Sequence, residues 1–146
     1  MNIKLSKHTQ IFILVLLITP LPGAGVDIHV PSLPAITLFF HSTQALVQSS
    51  VTLYLLGYGV GQLIIGTLAD CFGRRPILLW GTFFYALACV MSIISSHISV
   101  FLCARVLQGL CVACPGIAAK ACMVDTFSKE DLAKKSSYVV IAWSAG

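Results

Sequence analysis

The sequence predicts an all-α fold, a polytopic transmembrane helix bundle of four helices and the start of a fifth. Three observations carry that expectation. Apolar residues make up 58% of the 146 residues and charged residues only 10%, with mean hydropathy +0.94; a soluble domain carries about 25% charged residues. The apolar residues fall into stretches of span length, roughly 20 residues each. The charges between those stretches are shared unequally among alternate loops. A chain this poor in charge cannot cover its surface against water. It can face hydrocarbon, provided its backbone is hydrogen-bonded within helices.

The first stretch runs from about Ile11 to Val30, within residues 11–30. Pro20, Pro22, Gly23 and Gly25 would bend or break it, and broken backbone at membrane depth is tolerated only against protein or a water-filled cavity. The second stretch, 45–68, carries Gly57 and Gly61 four residues apart on one face. Small residues at that spacing let two helices approach closely. The third and fourth stretches are 76–95 and 99–123. A fifth begins near Tyr138, and the sequence stops at Gly146, about half the length a crossing needs. Residues 1–146 therefore read as one partial transmembrane domain, with no linker or low-complexity stretch dividing it.

Charge sets the orientation. Lys4 and Lys7 precede the first stretch, Arg74 and Arg75 lie between the second and third, and Lys129, Lys134 and Lys135 follow the fourth. Lys120 is near that same end, where its long stem reaches the headgroups. The opposite loops, around 32–44 and 95–99, hold no Lys or Arg. The basic segments mark the cytoplasmic side, so the N-terminus is expected there. This placement also reads the net charge of +4 as topology rather than as a nucleic-acid surface. Lys4, Lys7 and the small residues Gly23, Ala24 and Gly25 have the outline of a cleavable secretory signal. The charge bias of the later spans requires the first one to be retained.

Other chemistry is weakly represented. Six cysteines sit in apolar stretches or on the inner-side loop, as small apolar residues do. Cys111 and Cys114 form a CxxC in mid-helix, where an apolar setting leaves a thiol inert. His29 and His41 are expected on or near the outer side without metal-ligand company, so no metal site or cofactor is assigned. Neither a GxSxG elbow nor an HExxH helix is present, and an enzyme is not expected.

Two charges remain inside the membrane. Asp27 and Arg105 each cost several kcal/mol unless paired or hydrated. At about 1.5 Å per residue, Asp27 lies roughly 24 Å from the inner face and Arg105 roughly 21 Å. Their similar depth makes them proton-coupling candidates: a titrating carboxylate facing a polar cavity, and its partner or controller.

The loop between the second and third stretches is the most specific feature. It reads Gly-x-x-x-Asp-x-x-Gly-Arg-Arg, from Gly66 through Asp70 and Gly73 to Arg74 and Arg75. Physically it is a tight cytoplasmic turn, with Gly73 permitting the reversal and Pro76 suiting the first turn of the next helix. This run resembles the signature of the major facilitator superfamily. The segment Asp27 to Pro34, the run Gly57 to Gln62, and Arg105 with Gln108 and Gly109 resemble further signatures of its drug:proton antiporter branch, most of all the Bcr/CflA-type multidrug efflux transporters.

The resemblance implies twelve helices, of which this chain would be part of the N-terminal half. It implies proton coupling at Arg105, and a cytoplasmic charge network of Asp70, Arg74 and Asp125 in which Asp125 pairs with Arg74. Gln108 and Gly109 join Gly57 and Gly61 as helix-packing positions. The sequence departs from the family pattern at Cys71, where a basic residue is usual, at His29, where tyrosine is common, and at Val124, often arginine. The expected function is proton-coupled export of small molecules or drugs across a bacterial inner membrane. The expected partners are membrane lipid, protons, the small-molecule substrate, and missing C-terminal helices or a complementary chain, with no nucleic acid. The alternative is a non-transporting fragment from a split or decayed gene.

Overall fold

The computed structural model describes residues 7–127 together with residues 131, 137, 138, 140 and 141. The expected fifth helix at 138–146 falls mostly outside those residues, as do Lys4, Lys129, Lys134 and Lys135. The described elements are helices, with no strand among them: α1 (Lys7–Ile18), α2 (Leu21–Asp27), a 3-10 turn (Val30–Ser32), α3 (Leu33–Phe39), α4 (Gln44–Phe72), α5 (Arg74–Ile93) and α6 (Ile98–Thr126). Four spans among the described residues are long and apolar enough to cross a membrane: Thr9–Phe39, Gln44–Phe72, Arg74–Ile93 and Ile98–Thr126.

The first span is built from pieces. Pro20 and Pro22 have no N–H to offer the carbonyls of Leu16 and Ile18, so the helix breaks between α1 and α2. Thr19 donates its hydroxyl back to the Val15 carbonyl at 2.7 Å, a bond that bends helices. The span runs on past the expected end at Val30 to Phe39. Pro31 and Pro34 each stand in the first turn of their element, where a missing N–H costs nothing.

The remaining helices start and stop at identifiable residues. Thr43 is extended and its hydroxyl accepts from the Leu46 N–H, opening α4. Gly73 closes α4 and opens α5 at φ 86°, ψ 157°, a backbone region essentially restricted to glycine. Both helices consequently continue closer to this turn than the expected ends at 68 and 76.

α6 is the central helix. Of its most apolar window 44% is buried, against 11–17% for the other spans. It packs on α4, α5, α1 and α2. The α4 face turned toward it is a stripe of Val47, Ser50, Tyr54, Gly57 and Gly61, all buried at helical spacing. A Cβ at Gly57 would come within 2.5 Å of the Val106 carbonyl oxygen, and one at Gly61 within 2.8 Å of the Leu110 carbonyl. A Cβ at Gly109 would overlap the Tyr54 carbonyl from the other side. The two backbones therefore touch, and dispersion over that contact replaces the hydrophobic effect that hydrocarbon does not supply.

Candidate functional site

The upper part of the α4 stripe is polar, and it meets the first span there. Tyr54 is fully buried and donates its hydroxyl to the Pro22 carbonyl at 3.0 Å. This ties the broken first span to α4 just past its prolines. One turn above, the buried His29 ring places Nε2 2.8 Å from the Ser50 hydroxyl oxygen. Ser50 in turn donates to the Val47 carbonyl.

Arg105 projects from α6 into the same layer. Its Nη1 donates to the Gly25 carbonyl at 3.3 Å, and its Nη2 donates to His29 Nδ1. The guanidinium carbon lies 5.4 Å from the centre of the Phe101 ring. An arginine at the centre of a spanning helix costs roughly 2.5–3.5 kcal/mol in hydrocarbon, an upper bound for Arg105 in the third turn of α6. A charge-assisted hydrogen bond returns about 1.5–3 kcal/mol and a cation–π contact about 0.5–2 kcal/mol. The site is thus affordable within the bundle. Arg105 Nε is buried and has no hydrogen-bond partner among the described residues.

These bonds define the protonation of His29. A guanidinium has donors and no acceptor, so Nδ1 must present a lone pair. The ring is then neutral with its proton on Nε2, which donates to Ser50. Each hydrogen in the chain from Arg105 through His29 and Ser50 to Val47 has one acceptor.

An open cavity of about 430 Å³ borders this network. Gly25, His29, Arg105 and Gln108 line it from one side, and Tyr85 and Cys89 of α5 from the other. Gln108 is buried and donates to the Ala88 carbonyl at 3.2 Å, joining α6 to α5. Among the described residues no cluster of His, Cys, Asp or Glu could hold a metal ion. Cys114 is buried directly against Gly81, where a Cβ would overlap it, and Cys111 is half-buried.

Asp27 stands apart. It is exposed, and it makes no hydrogen bond or ion pair among the described residues. It shares the level of Arg105, since Gly25 two residues earlier receives the guanidinium. It does not share the face: two residues along a helix is a rotation of about 200°. Gly25 and His29, four apart, lie on the face packed against α4 and α6, and Asp27 points away. The expected Asp27–Arg105 pair is therefore replaced by His29–Arg105. The His29 ring, expected without ligand company near the outer side, is 5% exposed and packed inside the bundle. That 25/29 spacing, with Ser50 and Tyr54 on the α4 stripe, was the signal available in the sequence.

At the opposite end, Arg74 donates to the Asp125 carboxylate and to the Ala121 carbonyl. It thereby joins the α4–α5 turn to the end of α6. Asp70 and Arg75 are exposed and Gly66 is half-buried.

Residues 15–146 match the family model described as Major Facilitator Superfamily. The chain belongs to the Major Facilitator Superfamily. It is a multi-pass membrane protein. Among this superfamily's members it is 34% identical to the bicyclomycin resistance protein homolog of Haemophilus influenzae, over 94% of this chain and 35% of that protein. It is 38% identical to a chloramphenicol resistance protein of Pseudomonas aeruginosa, over 78% of this chain and 26% of the relative. It is 26% identical to multidrug resistance protein D of Escherichia coli, over 92% and 34%. The chain spans about a third of the length of such relatives. Within the superfamily fold, the Arg105 layer and the Arg74 turn lie toward opposite ends of one helix, α6.

Proposed function

We propose that, in a protein of its relatives' length, this bundle serves proton-coupled export of small molecules or drugs across a bacterial inner membrane, with the N-terminus cytoplasmic. The observation that carries the reading is Arg105: a permanent cation held within an apolar bundle by His29 and Gly25, beside an open cavity. A purely structural bundle gains nothing from that expense, whereas a transporter needs a charge whose surroundings change with state. The names of the relatives, which speak of resistance to bicyclomycin, chloramphenicol and multiple drugs, favour export of small molecules.

Asp27 and Arg105 are the proton-coupling candidates in this reading. Asp27, turned outward at the level of Arg105, would face the remaining helices of a longer chain. The Arg74–Asp125 pair, with Asp70 exposed four residues before Arg74, would favour one conformation by no more than about 1 kcal/mol, since both partners are screened by solvent. Gly57, Gly61, Gln108 and Gly109 hold α4, α5 and α6 as one rigid unit against which such a latch can act.

The test is dye export driven by an imposed pH gradient, in everted vesicles from cells expressing the gene that encodes this chain. Arg105→Gln and Asp27→Asn are each expected to abolish gradient-driven export. Unaltered gradient-driven export in both variants would overturn the reading.

A further inference from the structure

We propose that His29 is the group that takes up and releases a proton against Arg105, so that proton binding at this site is read out as release of the guanidinium. The inference rests on the transport reading above and names the proton carrier within it.

Geometry carries it. His29 Nδ1 has a single lone pair, and Arg105 Nη2 donates to it. His29 Nε2 already carries a hydrogen, which is committed to Ser50. A proton arriving at His29 has one place to go, Nδ1. Its arrival forms an Nδ1–H bond and breaks the Arg105–His29 hydrogen bond, because two donors cannot face each other. Two cations then stand side by side, and they repel strongly in a medium of low dielectric. Arg105 must turn away, toward the cavity that both residues line. Loss of the proton restores the lone pair and draws the guanidinium back. The proton comes from water and returns to water. No other species is consumed.

The neighbours from every packed element leave His29 with the role. On its own segment, Asp27 is exposed and turned to the other side. On α6, Arg105 cannot deprotonate, and Phe101, whose ring centre is 5.8 Å from that of His29, carries no titrating group. On α4, Ser50 and Tyr54 are hydroxyl donors already bonded to the Val47 and Pro22 carbonyls. Across the cavity, α5 presents Tyr85 and Cys89, which can lose a proton and cannot become cations. An imidazole alone in this set switches between neutral and charged by gaining a proton.

Two details make the device usable. Arg105 is already under-bonded, with Nε buried and without a partner among the described residues, so its present position is not its only satisfactory one. The cavity is open and His29 lines it, which leaves a path for a proton to the ring.

The direct experiment is nitrogen-15 magnetic resonance of the histidine-labelled full chain in lipid nanodiscs, which needs no transport. At alkaline pH His29 is expected to show a bare Nδ1 and a protonated Nε2. Acidification is expected to protonate Nδ1. Arg105→Gln is expected to displace the pH profile of His29 and leave that of His41 in place. A wild-type His29 protonated at Nδ1 at alkaline pH, or a profile indifferent to Arg105→Gln, overturns the inference.

A second measurement uses His29→Gln in the vesicle assay. Glutamine can still accept from Arg105, but cannot carry the proton. Substrate binding should persist while the pH dependence of export is lost. An unchanged pH profile in that variant also overturns the inference, and would do so while leaving Arg105 and Asp27 their proposed roles. Absence of gradient-driven export in the wild type would instead strike the transport reading, and the resonance result would still decide whether His29 and Arg105 are coupled.

Discussion

Arg105 of α6 donates to Nδ1 of His29, and the imidazole can accept that bond only while neutral. The arginine thus finds a partner that carries no charge of its own in this arrangement. The carboxylate two residues earlier, at Asp27, is left facing outward. A static ion pair would hold its geometry at any moderate pH, whereas an arginine–imidazole bond is lost as soon as the ring gains a proton.

The α4–α6 contact should be intolerant at one glycine and indifferent at another. A Cβ at Gly109 overlaps backbone of Tyr54, which cannot rotate aside, whereas nothing lies within 4 Å of one at Gly59. Gly109→Ala is expected to destabilise the bundle by about 1–3 kcal/mol or more. Gly59→Ala should be neutral, or stabilising by up to about 1 kcal/mol, because it relieves the entropy of a mid-helix glycine. Tryptophan fluorescence during thermal unfolding in detergent separates the two. A Gly109→Ala chain melting at the wild-type temperature would contradict the packing described.

The Arg74–Asp125 pair should contribute little to stability. The side chains are 30% and 59% exposed, so solvent screens them. A double-mutant cycle with Arg74→Gln and Asp125→Asn is expected to give a coupling below about 1 kcal/mol that shrinks further as salt is added. Arg74→Gln alone should cost more than Asp125→Asn alone, since it also loses the bond to the Ala121 carbonyl. A coupling of several kcal/mol would mean the turn is far drier than its exposure implies.

Water in the cavity should be detectable through a thiol. Cys89 borders the open cavity beside Arg105, whereas Cys114 is buried beneath Gly81. In variants retaining one cysteine each, a charged, membrane-impermeant maleimide should modify Cys89 and spare Cys114, because a reagent of that kind needs a hydrated path to the thiol. Equal labelling, or labelling of Cys114 alone, would remove the hydrated cavity.

Much of the fold was legible. The four spans follow from apolar runs between charged or turn-forming segments, and the reversal at Gly73 follows from the glycine and the basic residues after it. The ends of the first span were less legible. The expected end at Val30 falls short, because Pro31 and Pro34 each begin a new turn and the helical path continues to Phe39. The site was legible only in part. Depth placed Asp27 and Arg105 at one level, because rise per residue is fixed. Facing was not legible, because the proline breaks between Ile18 and Leu33 leave the helical phase of this segment undetermined by sequence. Gly25 and His29, on the opposite side of the same turn, are what α6 meets.

The sequence by itself determined that the chain spans a membrane, how many times its described part can cross, which segments are turns, and which superfamily it belongs to. Hydropathy, charge placement and signature residues are properties of a linear string, and a bilayer converts them directly into topology. Only the tertiary structure decided who holds Arg105. That choice depends on helical phase and on the close approach that Gly57, Gly61 and Gly109 allow. A rotation of about 200° over two residues is enough to exchange a carboxylate for an imidazole.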